Sequence, residues 1–298
     1  MSNGTLLGVV LPIALFVIML GMGMTLTLKD FARVFRLPKA VLTGLSGQML
    51  LVPLLAFVVV SLFTLPPELA VGLMVLSFAP GGATSNMMTF LSRGDVALSI
   101  TLTAFASLLT PFTIPVLTQF ALEHWMGEAQ AIELPVVQTM MKLVVITVVP
   151  VSLGMWLHHK KPELTARLGK IVKPLSIGFL LFIIVGIVVK HWQQMPEFLA
   201  QVGPAAICLN LLALSSGYFY ARLMGLSVPQ QITTGIEVGV QNGGTALLVT
   251  GAILGNSQMS VSPVIYGILM LGPSLVFGLW WGKRLRQSEA ELESSQAS

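Results

Sequence analysis

The chain has 298 residues, 55% of them hydrophobic and 9% charged, with a formal net charge of +4 and a mean hydropathy of +0.87. Soluble domains typically carry about 25% charged residues, so this composition excludes an ordinary soluble fold and describes an all-α polytopic membrane protein embedded in a lipid bilayer. The single Cys208 excludes a disulfide framework and a cysteine metal site, and the small, unclustered positive charge argues against a nucleic-acid partner.

From the N-terminus, MSNGTLLGVVLPIALFVIMLGMGM lacks a positively charged leader region and carries an apolar run long enough to span, so a first membrane helix is expected rather than a cleaved signal. A span needs about 20 mostly apolar residues, which predicts nine of them, roughly 5–27, 37–63, 68–92, 95–122, 133–158, 170–190, 198–224, 229–255 and 261–283. Together they form one membrane domain over 1–298, ending in a polar tail, 287–298, expected to be disordered. The third and eighth spans are interrupted by glycines. With the N-terminus outside, fourteen of the sixteen Lys and Arg fall inside, and only Lys142 and Lys190 lie opposite, alongside Glu68, Glu123, Glu128, Glu133 and Glu197. Cytoplasmic loops favour Lys and Arg, so the expectation is an inner (plasma) membrane protein with its N-terminus outside and its C-terminus cytoplasmic.

The two interrupted spans repeat each other. The third reads PPELAVGLMVLSFAPGGATSN from Pro66 and the eighth VPQQITTGIEVGVQNGGTALL from Val228. Setting Pro67 on Pro229 places Gly81 and Gly82 on Gly243 and Gly244, fourteen residues later in both copies. The 162-residue offset crosses five spans, an odd number, so the second copy enters from the opposite face. Interrupted spans at corresponding positions of two halves point to a transporter's midplane site. Fourteen helical residues rise about 21 Å, more than half of a hydrocarbon core of about 30 Å, so both breaks lie at depth. The pattern is a five-plus-five inverted repeat lacking its first helix.

Glu237 is the only acidic residue well inside a span. A carboxylate there is costly unless it faces protein, water or a cation. Pro80, Gly81 and Gly82 break one helix, and Gly239, Asn242, Gly243 and Gly244 can break the other. Broken helices free backbone carbonyls and amides, which is tolerable only beside a cavity or an ion. Carbonyls, a carboxylate and amide or hydroxyl oxygens suit a hard cation. Freed amides at the half-helix starts suit an anion. Thr84, Ser85 and Asn86 follow the first break, Ser99 and Thr103 share a helix face, and Gln48 lies within the second span. Thr101, Thr110, Thr113 and Ser215 read as ordinary hydroxyls bonding to helix backbone.

The stretches FAPGGATSNMMTFLSRGDVALSITLT (78–103) and IEVGVQNGG (236–244), with LKDFARVFRLPKA (28–40) and SGQMLLVPLLAF (46–57), resemble the bile acid:sodium symporter family. The resemblance implies a core domain, spans 37–122 and 198–283, holding two crossed discontinuous helices, and a panel domain, spans 5–27 and 133–190, that moves against it. It also implies two sodium sites. One maps onto Ser85, Asn86, Ser99, Thr103 and Glu237; the other onto Gln48, Glu237, Gln241 and the carbonyls of Val238 and Val240. Substrate contact maps onto Ala83, Thr84, Asn242 and Gly243. Many bacterial members carry Thr at the place of Ala83, and bile-acid-binding members carry polar side chains where this chain reads MLGPS (270–274). Both departures favour a small organic acid, pyruvate- or pantoate-like, over a bile acid.

The leading expectation is a secondary active transporter, coupling sodium to symport of an organic anion by alternating access. Proton-coupled transport or export, with Glu237 carrying the proton, is the alternative. A membrane-embedded enzyme such as an intramembrane protease needs a catalytic dyad, yet no second buried carboxylate pairs with Glu237, and His124, His158, His159 and His191 fall at span ends. A passive channel fits poorly, because a site this rich in ligands holds its ion.

Overall fold

A computed structural model describes residues 10–127 and 134–297, and every regular element among them is helical. The first residues of the first expected span, the start of the fifth, and Glu128 and Glu133 lie outside the described residues. Helix α1 (Leu11–Gly23) is followed, across a 66° bend, by α2 (Leu28–Arg36). The backbone N–H and hydroxyl of Thr27 both donate to Asp30 Oδ2 at 2.8 Å, closing the start of α2. No residue of α2 is buried, which suits a helix carrying Lys29, Arg33 and Arg36 at a polar surface.

Helix α3 (Pro38–Phe63) contains a π turn, Gly47–Leu51, just before Pro53. A proline inside a helix cannot donate and crowds the carbonyl four residues back; the wider turn absorbs that conflict. The same device recurs in α7 (Val136–Lys160), where the π turn Val144–Val148 precedes Pro150. Between them lie α4 (Pro67–Ser77), α5 (Ala83–Leu91) and the long α6 (Val96–Met126), which starts where the Asp95 side chain accepts from the Leu98 N–H at 2.9 Å.

Helix α8 (Pro162–Lys190) begins eight residues before the expected span, because Pro162 opens it in the first turn. The expected inside loop over 158–173 is therefore helix except at Lys161. Then come α9 (Met195–Leu223), α10 (Val228–Gly239), α11 (Gly243–Leu247, leading into a π turn Leu248–Ile253), α12 (Val261–Leu269) and α13 (Leu271–Ala297). α13 carries the backbone as helix through 287–297, where a disordered tail is expected. Glu, Ala, Leu and Gln in that stretch are good helix formers.

Among the described residues six helices are long and apolar enough to cross a membrane, or seven if α1 and α2 count as one bent span. The two broken pairs, α4–α5 and α10–α11, are too short in each half to qualify alone. α1, α7 and α8 pack on one another, and a second group gathers α9, α10, α12, α3, α4 and α6. The most extensive seam is α9 on α10. A Cβ on Gly217 would lie 2.9 Å from Val238 Cβ and 3.0 Å from the Thr234 carbonyl oxygen, so the backbones meet across small residues.

The breaks follow the repeat. Helix ends at Ser77 in the first copy and at Gly239 in the second, equivalent positions under the Pro67–Pro229 alignment. α10 packs against α5, and α11 against α4. Each half-helix thus lies beside the opposite half of the other pair, and the Asn242 N–H donates to the Pro80 carbonyl at 2.9 Å where the breaks touch.

Candidate functional site

At the meeting of the breaks, α10 ends one residue pair after Glu237, whose side chain is 1% exposed. Ser99 Oγ lies 2.8 Å from Glu237 Oε2 and 2.7 Å from Asn86 Oδ1. Thr103 Oγ1 donates closely to Glu237 Oε1 and stands 3.5 Å from Asn86 Oδ1. Ser99 and Thr103 present these hydroxyls together because they sit one turn apart on α6. Asn86 and Ser85 come from the first turn of α5. Ser85 Oγ and Glu237 Oε1 both crowd the place a Cβ on Gly81 would take, so a glycine there is what lets the carboxylate reach the first break.

The donor set decides what this cluster can hold. Ser99 and Thr103 have one hydroxyl proton each, while Asn86 Oδ1 and both Glu237 oxygens all need a partner. Acceptors outnumber protons, in a place where the Glu237 partners are hydroxyls and not basic side chains. A small hard cation would supply the missing positive charge, and oxygen ligands of this kind suit one.

A second cluster lies alongside. Gln48, placed in the π turn of α3, is 2% exposed and donates from Nε2 to the Ala79 carbonyl at 2.8 Å and to Gln241 Oε1 at 2.7 Å. Gln241 donates in turn to the Val238 carbonyl at 2.7 Å. Gln48 Oε1 is buried without a partner, so its lone pairs are free. Val240 is extended, φ −106° and ψ 105°, and opens the second break.

The expected substrate residues stand apart in exposure. Ala83 and Thr84 are exposed and Asn242 and Gly243 half-buried, whereas Ser85, Ser99, Thr103, Gln48, Glu237 and Gln241 are buried. Asn242 caps α11, its Oδ1 accepting from the Thr245 N–H at 3.3 Å, and its side chain lies against Gly82. Gly244 is the second residue of α11. Pro80, Gly81 and Gly82 close the irregular segment 78–82 between α4 and α5. A cavity with room for about one water borders this point between Met19, Pro80, Ser107, Thr110, Thr147 and Thr245. Thr245 Oγ1 is buried there without a partner.

Residues 12–197 match the model of the sodium bile acid symporter family. The chain belongs to that family. A probable sodium/metabolite cotransporter of Arabidopsis thaliana chloroplasts is 29% identical, over 97% of this chain and 74% of its own length. An uncharacterized sodium-dependent transporter of Bacillus subtilis, YocS, is 28% identical over 97% of this chain and 88% of its own. The ileal sodium/bile acid cotransporter of Oryctolagus cuniculus is 29% identical over 91% of this chain and 78% of its own. The family is one of sodium symporters, so this is a multi-pass membrane transporter and not an enzyme.

Three buried polar residues at the site escaped the sequence reading. Asn210 on α9 and Tyr266 on α12 both donate to the Gly239 carbonyl at 2.8 Å, and Thr245 lines the cavity. Asn210 carried a usable signal, as a lone amide inside the apolar run AAICLNLLAL. Thr101, set aside as a backbone-bonding hydroxyl, does donate to the Ala97 carbonyl at 2.8 Å, and also reaches the Asp30 carbonyl at 3.1 Å.

Proposed function

We propose that this transporter couples sodium to the symport of a small organic anion by alternating access. The observation that carries the proposal is the surplus of oxygen lone pairs around Glu237 where the two breaks touch. Sodium at Ser85, Asn86, Ser99, Thr103 and Glu237, and a second ion at Gln48, Glu237, Gln241 and the Val238 and Val240 carbonyls, would neutralise the carboxylate and draw the half-helices together. Ordering the breaks in turn sets the amides at the starts of α5 and α11, beside Ala83, Thr84, Asn242 and Gly243. Those amides and Asn242 are suited to a carboxylate. The more exposed position of this second set supports its role as the substrate face.

The family resemblance supports nine spans, with the N-terminus outside. The group containing α3, α4, α6, α9, α10 and α12 would be the core that carries the site, and α1, α7 and α8 the panel that moves against it. A short carboxylic acid of the pyruvate or pantoate type suits the apolar MLGPS stretch (270–274) better than a bile acid.

The test is uptake into proteoliposomes under a sodium gradient, over a panel of short carboxylic acids and one bile acid. Sodium-driven uptake of a short acid is expected, lost when choline replaces sodium. Glu237→Gln should abolish that uptake while the variant still folds and inserts. Undiminished uptake in choline would instead favour proton coupling through Glu237. Full sodium-coupled uptake by Glu237→Gln would overturn the site.

A further inference from the structure

A helix broken inside a membrane must find donors for its last carbonyls, and here each has a different fate. The Ile236 carbonyl accepts the Val240 N–H at 2.8 Å, as in a continuing helix. The Val238 carbonyl accepts from the Gln241 side chain. The Gly239 carbonyl accepts twice, from Asn210 Nδ2 and from the Tyr266 hydroxyl, each at 2.8 Å. Asn210 Nδ2 also stands 3.4 Å from the Tyr266 oxygen, so amide, phenol and carbonyl close a triangle. Both side chains are fully buried.

A carbonyl oxygen has two lone pairs, and these two donors occupy both. Gly239 O is thereby withheld from any ion, and its peptide plane is pinned toward α9 and α12. Successive carbonyls of extended backbone point to opposite sides. Since Val240 is extended, pinning Gly239 O on one side aims the Val240 carbonyl away from α9 and α12. The same plane limits how far the Val238 carbonyl can turn. Asn210 shows that its amide N–H is what the fold uses, because its Oδ1 is buried with no partner at all. A residue serving packing alone would gain by being apolar.

We infer that Asn210 and Tyr266 are positioning residues for cation binding: by gripping the Gly239 carbonyl from behind they orient the neighbouring carbonyls of the break toward the ion. This rests on the sodium-coupled reading above. Neither residue touches the ion; each acts through one peptide group, as outer partners of metal ligands do.

The test uses the full-length protein, titrating sodium against choline at constant ionic strength, with sodium-dependent thermal stabilisation in detergent and uptake in proteoliposomes as readouts. Tyr266→Phe removes one oxygen and leaves the Asn210 hydrogen bond to hold the helix end. Asn210→Leu removes the donor together with the orphaned acceptor. Each is expected to raise the half-saturating sodium concentration about tenfold, while KM for the anion at saturating sodium stays within about twofold. The double variant should shift further than either single but not by the product of the two, because both side chains hold the same carbonyl. A lowered melting temperature with an unmoved sodium midpoint would mean the pair only closes the helix, and would overturn the inference. Should Asn210→Leu fail to fold, Tyr266→Phe decides alone. A wild-type protein indifferent to sodium would overturn the sodium-coupled reading instead, which keeps the two failures apart.

Discussion

Gly81 has no room for a side chain, because a Cβ would displace Glu237 Oε1 and come within 3.2 Å of Ser85 Oγ. Gly81→Ala should therefore push the carboxylate off the first break and raise the half-saturating sodium concentration at least about tenfold, read from sodium-dependent uptake. Thr103 allows a finer comparison. Thr103→Ser keeps the hydroxyl that donates to Glu237 and should bind sodium nearly as the parent does. Thr103→Val keeps the shape and loses the oxygen. A hydrogen bond to a charged group is worth about 1.5–3 kcal/mol, so a shift of about tenfold or more is expected in a sodium titration. Equal sodium midpoints for the Ser and Val variants would show that the hydroxyl is not a ligand. These residues were legible because polar side chains are rare in lipid-facing sequence and stand out against it. Asn210 stands out in the same way, but its role and that of Tyr266 were not legible, since their shared partner is a carbonyl 29 and 27 residues away, freed only when α10 breaks.

The half-helices show why the two copies of the repeat are not identical. The irregular segment covers 78–82 in the first copy but only 240–242 in the second. The position aligned with Asn242 is Pro80. Asn242 caps α11 by accepting from the Thr245 N–H, which starts that helix two residues sooner. Pro80 has neither a capping oxygen nor an N–H, and offers its carbonyl to Asn242 instead. The seam between α9 and α10 makes its own prediction. Gly217→Ala would press a methyl to 2.9 Å from Val238 Cβ and 3.0 Å from a backbone oxygen. Backbone cannot rotate away as a side chain can, so the variant should lose about 1–3 kcal/mol of stability. A lower melting temperature in detergent would report it. The glycine interruptions and their spacing were readable in advance. The π turn that turns Gln48 inward was not, although Pro53 and Pro150 mark where α3 and α7 need one.

For the molecule as a whole, an ion that binds only the folded state stabilises it by mass action. Sodium at about 100 times its dissociation constant should add about 2.7 kcal/mol, seen as a rise in melting temperature that choline does not reproduce. Topology is open to direct test in a Cys208→Ser background. A cysteine replacing Glu68 should react with an impermeant reagent in intact cells, and one replacing Arg222 only after permeabilisation. The reverse pattern would invert the orientation expected from the Lys and Arg distribution. The membrane setting and the repeat were both present in the order of residues, because lipid enforces apolar runs of fixed length and makes each exception conspicuous. Where a helix begins inside a polar stretch, as α8 does at Pro162 and α13 continues past Arg286, composition alone suggests a loop. The crossing of the breaks and the oxygens around Glu237 were expected only through the family resemblance, and the grip on Gly239 came only from packing. Each depends on groups from distant helices arriving at one depth, and a linear pattern carries depth but not which side of a helix its neighbours occupy.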